Sequence, residues 1–303
     1  ATKPRKLSNV AAMSAKKHRR PPPRSGPTGP ATDWDSVSQW YDDLVGESGS
    51  EYHQQVVLPG AVRLLGLRPG ERAIDIACGQ GVLCRRLHQA GIIVTGVDAS
   101  EQLVEAARKR SGSSISYHVG DARDLSFLSP ASFDAAACVL AIQNIHPIAP
   151  VFAGVHRLLR PGGRLVIVMM HPAFRGAGET SWGWDEKNRV QYRRVDRYLA
   201  PRKKPIVTHP GSDPHHYTWT FHKPIEAYIS ALRKSAMLVD AIDEWPSHKT
   251  STSGPRAAAE NLARKEIPMF MAVRAIKIGR AHAANDEIRM TNDESSSNDR
   301  KTE

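Results

Sequence analysis

Cysteine is scarce. The chain of 303 residues holds three, Cys78, Cys84 and Cys138, and none sits in a C-x-x-C pair. That argues against a disulfide framework or a paired-thiolate site, and suits buried thiols in a reducing compartment. Long apolar runs are missing too. None approaches the roughly 20 residues of a membrane-spanning helix, so the expectation is a cytoplasmic protein with no membrane span. There is no internal repeat, which sets aside solenoids and propellers. Acid is absent from residues 1–32, where eight Lys or Arg stand.

The last absence locates the charge. The formal net charge is +11, but residues 33–279 carry 30 basic and 25 acidic residues, only +5. The arm "KKHRRPPPRSGPTGP" combines prolines, glycines and like charges that cannot build a core, so residues 1–32 are expected to be a disordered basic arm. It reads as a solubilising arm, as an anionic-surface or RNA tether, or as a transit peptide. Met13 opens "MSAKKHRR" and is expected to be an alternative translation start. Residues 280–303 are expected to form a disordered polar tail.

The remaining residues, 33–279, read as one α/β domain. Forty per cent of the chain is hydrophobic and 24% charged, as in ordinary globular proteins. Strands are expected at 73–76, 92–98, a third ending at Asp121, 133–141 and 164–170. Helices are expected between them: one with Leu83, Leu87 and Ala90 in register, one capped by Ser100, and one with Val151, Val155 and Leu158 on one face. Such alternation means parallel strands with crossover helices. A further helix opens at Pro224, and two more strand candidates surround "MLVDAIDEW" and "PMFMAVRAIKI".

The first strand runs into a turn of small residues, "AIDIACGQG" at 73–81. Glycines there let the backbone bend and let a ligand approach it. Gly79 and Gly81 make G-x-G, but Cys84 stands where a dinucleotide fingerprint has its third glycine. Asp98 ends the second strand, and a carboxylate there can accept from both ribose hydroxyls.

Asp75 precedes the glycines at D-x-x-x-G-x-G spacing. With Asp98, "GDARDLSF" around Asp121 and "RLLRPGGRLVIV", this order resembles class I S-adenosylmethionine-dependent methyltransferases, in the small-molecule branch of the quinone-biosynthesis type. The matches cover most of residues 70–170. Ala77 stands where that family usually has glycine. "WYDDLVG" and "HKPIEAYISALR" resemble the family's first helix and the helix after its fifth strand.

The resemblance implies a Rossmann-like, seven-stranded, mostly parallel sheet with helices on both faces and the last strand antiparallel. It implies S-adenosylmethionine as cofactor and S-adenosylhomocysteine as product. Ala77, Cys78, Gly79 and Gly81, with Asp75, would hold the amino-acid end. Asp98 would serve the ribose and Asp121 lie near the adenine, with Ala99, Ala122 and Val139 as further cofactor-site residues, and Tyr41 would close the site.

Methyl transfer needs a general base only when the nucleophile must lose a proton. His146, His171 and His222 are the catalytic candidates. Residues 172–222 exceed a simple connection and hold eight aromatics. They are expected to form a cap insertion. Within it "HYTWTFH" alternates aromatic and polar residues, so a strand with an aromatic wall, suited to a flat or apolar small-molecule acceptor, is expected. His209, Asp213, His215, His216 and His222 are too irregularly spaced for a metal site, and none is expected.

Three alternatives stay open or are argued down. One is an RNA or protein methyltransferase using the basic arm, the one route to nucleic acid. It lacks the Asn/Asp-Pro-Pro-aromatic motif after the fourth strand, where "VLAIQNIHP" stands instead, and it has no RNA-binding module. A nicotinamide-dependent dehydrogenase is opposed by Cys84. A non-catalytic S-adenosylmethionine-binding module is the third. Oligomeric state has no signal.

Overall fold

The computed structural model describes residues 34, 37–176, 179–207 and 217–278. The arm, the polar tail and the histidine-rich stretch with His209, Asp213, His215 and His216 lie outside the described residues.

Helix α1 (Ser38–Val45) comes first. A wider helical turn, His53–Val57, then runs into α2 (Leu58–Leu65). Next come β1 (Arg72–Ile76), α3 (Val82–Gln89), β2 (Ile93–Asp98), α4 (Glu101–Ser111), β3 (Ser116–Val119), β4 (Phe133–Val139), α5 (Ala149–Leu158) and β5 (Leu159–Met170). Two antiparallel hairpins follow. They are β6 (Thr180–Asp185) with β7 (Val190–Val195), and β8 (Arg202–Val207) with β9 (Tyr217–His222). The chain closes with α6 (Ile225–Lys234), β10 (Met237–Trp245), α7 (Ala257–Glu266) and β11 (Phe270–Lys277).

Seven strands form one sheet in the order β10-β11-β5-β4-β1-β2-β3. Strands β1 to β5 are parallel, and β11 runs antiparallel to both its neighbours. This is the Rossmann-like architecture the strand–helix alternation implies. Strands buried on both faces read as continuous apolar runs, and "AIDI" and "AAACV" do. The core is accordingly double. Ile74, Ile76, Phe152, Leu158 and Leu232 fill the α5–α6 face. Leu65, Leu83, Leu87 and Val104 fill the face of α2, α3 and α4. Each such side chain contributes about 1.5–3 kcal/mol by leaving water.

Three details differ from the sequence reading. Ala90 is exposed and Cys84 takes a buried place on α3 with Leu83 and Leu87. The helix stops at Gln89, so the third apolar position falls outside it. Strand β5 begins five residues before the expected Arg164. Leu159 already pairs with Phe133, and Pro-Gly-Gly forms an irregularity inside the strand rather than a turn before it. Helix α7 was not expected, because only Ala263 on it is buried. It lies against the β6–β7 hairpin, with Arg256 paired to Glu186 at 2.7 Å and 4.5 Å over the Trp184 ring.

Candidate functional site

The turn after β1 is bound to the end of β2. Ala77 and Gly79 have φ of 56° and 53°, in the left-handed region. For Ala77 that costs roughly 1–2 kcal/mol. The strain is held by three hydrogen bonds: Cys78 N–H donates to Val97 O at 3.0 Å, Gly81 N–H to Cys78 O at 3.0 Å, and Gly79 N–H to Asp98 Oδ2 at 2.7 Å. Gly81 serves packing, and it lines no cavity described here. A Cβ at Gly81 would lie 2.4 Å from the Tyr117 hydroxyl.

Beyond the carboxyl ends of β1 to β4 lies a cavity of about 260 Å³. The strand order reverses between β4 and β1, where α/β folds bind ligands. Its wall includes Ala77, Gly79, Asp98, Ala99, Asp121, Ala122 and Val139. Tyr41 and Trp34 close one side, edge to face at 5.6 Å. Helix α1 is fastened there by Arg110, whose two terminal nitrogens reach the Asp42 carboxylate at 2.6 and 2.8 Å. Arg110 also donates to Gln80 Oε1 at 2.5 Å, and Gln80 Nε2 donates to Gly46 O. These bonds connect α1, the glycine turn and α4.

The three carboxylates differ in environment. Asp98 is 7% exposed and accepts from Gly79 N–H and, at 2.9 Å, from Ser100 N–H. Both bonds favour the ionised form. Asp75 is 2% exposed and accepts from the Cys84 thiol at 3.4 Å. Burial pushes its carboxyl up to about 7. It lines a recess of about 30 Å³, beside Tyr41, Cys78 and His53, that shares Ala77 and Val139 with the main cavity. Asp121 pairs with Arg123 at 2.6 Å. Burial pushes its carboxyl up, but the hydrogen bonds and charge of Arg123 outweigh that and hold it below the usual range. Hydrogen bonding to Cys84, then burial, pushes the Cys78 thiol up, and burial does the same to Cys84. Neither thiol is primed as a nucleophile.

A second cavity of about 230 Å³ lies between the loop after β4, the end of β5 and the β8–β9 hairpin. Asn144 lines both cavities. It is 6% exposed, and its Oδ1 has no hydrogen-bond partner. The His146 ring lines the first cavity and stacks on Phe221 of the second, centroids 5.1 Å apart. Burial, then the charges of Lys223 and Arg123, lower the imidazole pKa, so His146 is neutral near pH 7. His222 lines the second cavity and donates from Nε2 to Tyr198 O at 2.7 Å, which leaves Nδ1 as the acceptor. His171 lines neither cavity. It is 1% exposed, its Nε2 bonds Glu244 at 2.7 Å, and its Nδ1 accepts from Ala173 N–H at 3.2 Å. The structure therefore brings two of the three histidines to cavities and turns His171 to an internal bond.

The aromatic wall is narrower than the alternation in "HYTWTFH" implies. Phe221 and Tyr228 line the second cavity. Trp182 lies under Arg175 and Arg193, and Trp219 under Lys203. Three cap tryptophans, Trp182, Trp184 and Trp219, thus serve as platforms for cations. Arg175 and Lys223 of the second cavity, and Arg123 of the first, carried no signal that set them apart from other basic residues.

The donor set fits an adenosyl sulfonium. A buried carboxylate faces the cavity for the ribose, an acid recess suits an ammonium, and Leu103, Val139 and Ile145 offer apolar surface to a base. A family model described as a methyltransferase domain matches residues 74–167. The chain is 33% identical over 97 residues to the ubiquinone biosynthesis O-methyltransferase of Thiobacillus denitrificans, covering 31% of this chain and 42% of that one. It is 31% identical over 162 residues to the demethylmenaquinone methyltransferase of Tropheryma whipplei, covering 52% and 61%. The match thus spans less than two thirds of either relative. A crystal structure of an S-adenosylmethionine-dependent methyltransferase from Mesorhizobium loti superimposes with a TM-score of 0.59 at 29% identity, over 72% of this chain and 96% of that one. Residues 74–167 match a methyltransferase domain on a Rossmann-like sheet, and the chain is similar there to class I S-adenosylmethionine-dependent methyltransferases of the quinone-biosynthesis type.

Proposed function

We propose that the chain transfers the methyl group of S-adenosylmethionine to a small-molecule acceptor and releases S-adenosylhomocysteine. One observation carries this reading: two cavities of similar size meet at a shared buried residue, Asn144. A two-substrate transfer needs that arrangement, because its rate depends on holding the acceptor in line with the methyl. When bound, S-adenosylmethionine would supply an electrophilic methyl carbon to a lone pair of the acceptor, with S-adenosylhomocysteine as the leaving group.

The chain's residues supply position and proton transfer. Asp98 orients the ribose and Asp75 the amino-acid end, while Tyr41 keeps water from the recess. Asn144 stands at the junction, with its unpartnered carbonyl oxygen available to a donor on either ligand. Where the acceptor must lose a proton, neutral His146 takes it, with Phe221 holding the ring. The test is calorimetric titration with S-adenosylhomocysteine, with NAD as control. Binding of S-adenosylhomocysteine alone is expected. An NAD signal, or no binding of either ligand, would reject the reading.

A further inference from the structure

The second cavity has a charge that the methyltransferase reading does not require. Lys223 is 9% exposed and lines it. Its Nζ donates to Ile145 O at 3.3 Å and lies 5.4 and 5.8 Å from the Phe221 and Tyr228 ring centres. No carboxylate pairs with it among the described residues. Arg175 lines the same cavity. Its guanidinium lies 4.9 Å from the Trp182 ring, and its buried Nε has no hydrogen-bond partner. Among the described residues, no Asp or Glu lines this cavity. Elsewhere, by contrast, basic residues meet acids: Arg110 with Asp42, Arg123 with Asp121, Arg274 with Asp240.

A buried cation without a counter-charge is costly. Two on one cavity wall favour a ligand that brings the missing charge. The rest of the wall is Met170, Pro172, Ile206, Phe221 and Tyr228, which suits an apolar body. We infer that the second cavity binds an acceptor with an apolar body and an anionic group, carboxylate or phosphate, held between Lys223 and Arg175. This rests on the reading of that cavity as the acceptor site. Lys223 and Arg175 are then specificity residues, and they bind the acceptor without touching the cofactor.

The test uses 2-naphthoate, 2-naphthyl phosphate and the neutral 2-naphthamide. Each is titrated calorimetrically into the full chain, with and without saturating S-adenosylhomocysteine. Both anions are expected to bind at least about tenfold more tightly than the amide, since hydrogen bonds to charged groups carry more energy than neutral ones. The tighter anion identifies which group the natural acceptor bears. Lys223→Met is expected to remove most of that preference, Lys223→Arg to keep it, and both to leave S-adenosylhomocysteine affinity unchanged. Equal binding of amide and anions, no binding of any probe, or an undiminished preference in Lys223→Met would overturn the inference. S-adenosylhomocysteine binding in the same samples reports separately on the cofactor reading, so the two can fail independently.

Discussion

The two cavities hold charge in opposite ways. In the first, each charge is fixed by a local partner: Asp98 by two backbone N–H groups, Asp121 by Arg123. Those partners come from the ends of parallel strands, which the sheet holds rigidly. In the second, Lys223 and Arg175 have no acid partner among the described residues, and a third of the wall comes from the β8–β9 hairpin inserted after β5. Among the described residues, the acids of the first site have local partners, while the second holds two cations and no acid. The contrast suggests an invariant ligand on one side and a ligand that completes the site on the other.

The largest effect should come from Asp98→Ala. It removes the proposed ribose acceptor and the acceptor of the Gly79 and Ser100 N–H bonds, so S-adenosylhomocysteine affinity should fall at least about a hundredfold by calorimetry. Affinity within fivefold of the native protein would show that the first cavity is not the cofactor site.

The histidines separate next. With an anionic acceptor found by screening, His146→Ala should slow product formation about a hundredfold if that acceptor must lose a proton. His171→Ala should change it less than about twofold, because His171 faces no cavity. The reverse ranking would mean that the assignment of cavities is wrong.

Asp75 tests the recess beside the first cavity through pH. Burial raises its folded-state carboxyl to about 7, so the carboxylate is present above that value and lost below it. Affinity for a ligand with a cationic amine should fall by up to about tenfold per pH unit below 7. Asp75→Asn should flatten the profile. A native profile with no slope between pH 5 and 7 would remove Asp75 from the recess chemistry.

Lys223 tests the second cavity through stability. Burial lowers its ammonium from 10.5 to about 8. The folded-state value lies below the unfolded one, so the unfolded chain binds the extra proton between about pH 8 and 10.5. Stability therefore rises with pH across that window, and the lysine is a burden below it. Lys223→Met should stabilise the ligand-free protein by about 1–2 kcal/mol at pH 7, less than the full linkage because the bond to Ile145 O is lost. The gain should vanish near pH 10.5. Destabilisation at pH 7 in thermal unfolding would mark Lys223 as structural.

Much of the first cavity was legible in the sequence because its residues are local to strand ends. Ala77, Gly79, Asp98 and Asp121 occur in fixed order at or just after the carboxyl ends of strands whose apolar runs identify them, and Asp75 of the adjoining recess stands inside β1. Gly81 was legible as a glycine but not as a packing residue, since its neighbour Tyr117 is 36 residues away in the chain. The second cavity was barely legible. Asn144, Arg175 and Lys223 come from three segments with no shared pattern, and the aromatic period of β9 gives alternating faces without saying which face meets what. Helix α7 escaped because it docks by an arginine on an indole rather than by an apolar stripe.

What the sequence alone determined is the sheet and its first ligand wall. Apolar runs of strand length, alternating with helical periods, leave few ways to bury themselves, and the acids and glycines at their ends follow automatically. Tertiary structure alone decided which loops would face one another across the sheet's edge. It brought Asn144 between two cavities, set Lys223 Nζ on Ile145 O with no counter-charge among the described residues, and turned His171 inward. Those outcomes depend on contacts between residues far apart in the chain, and no local periodicity encodes them.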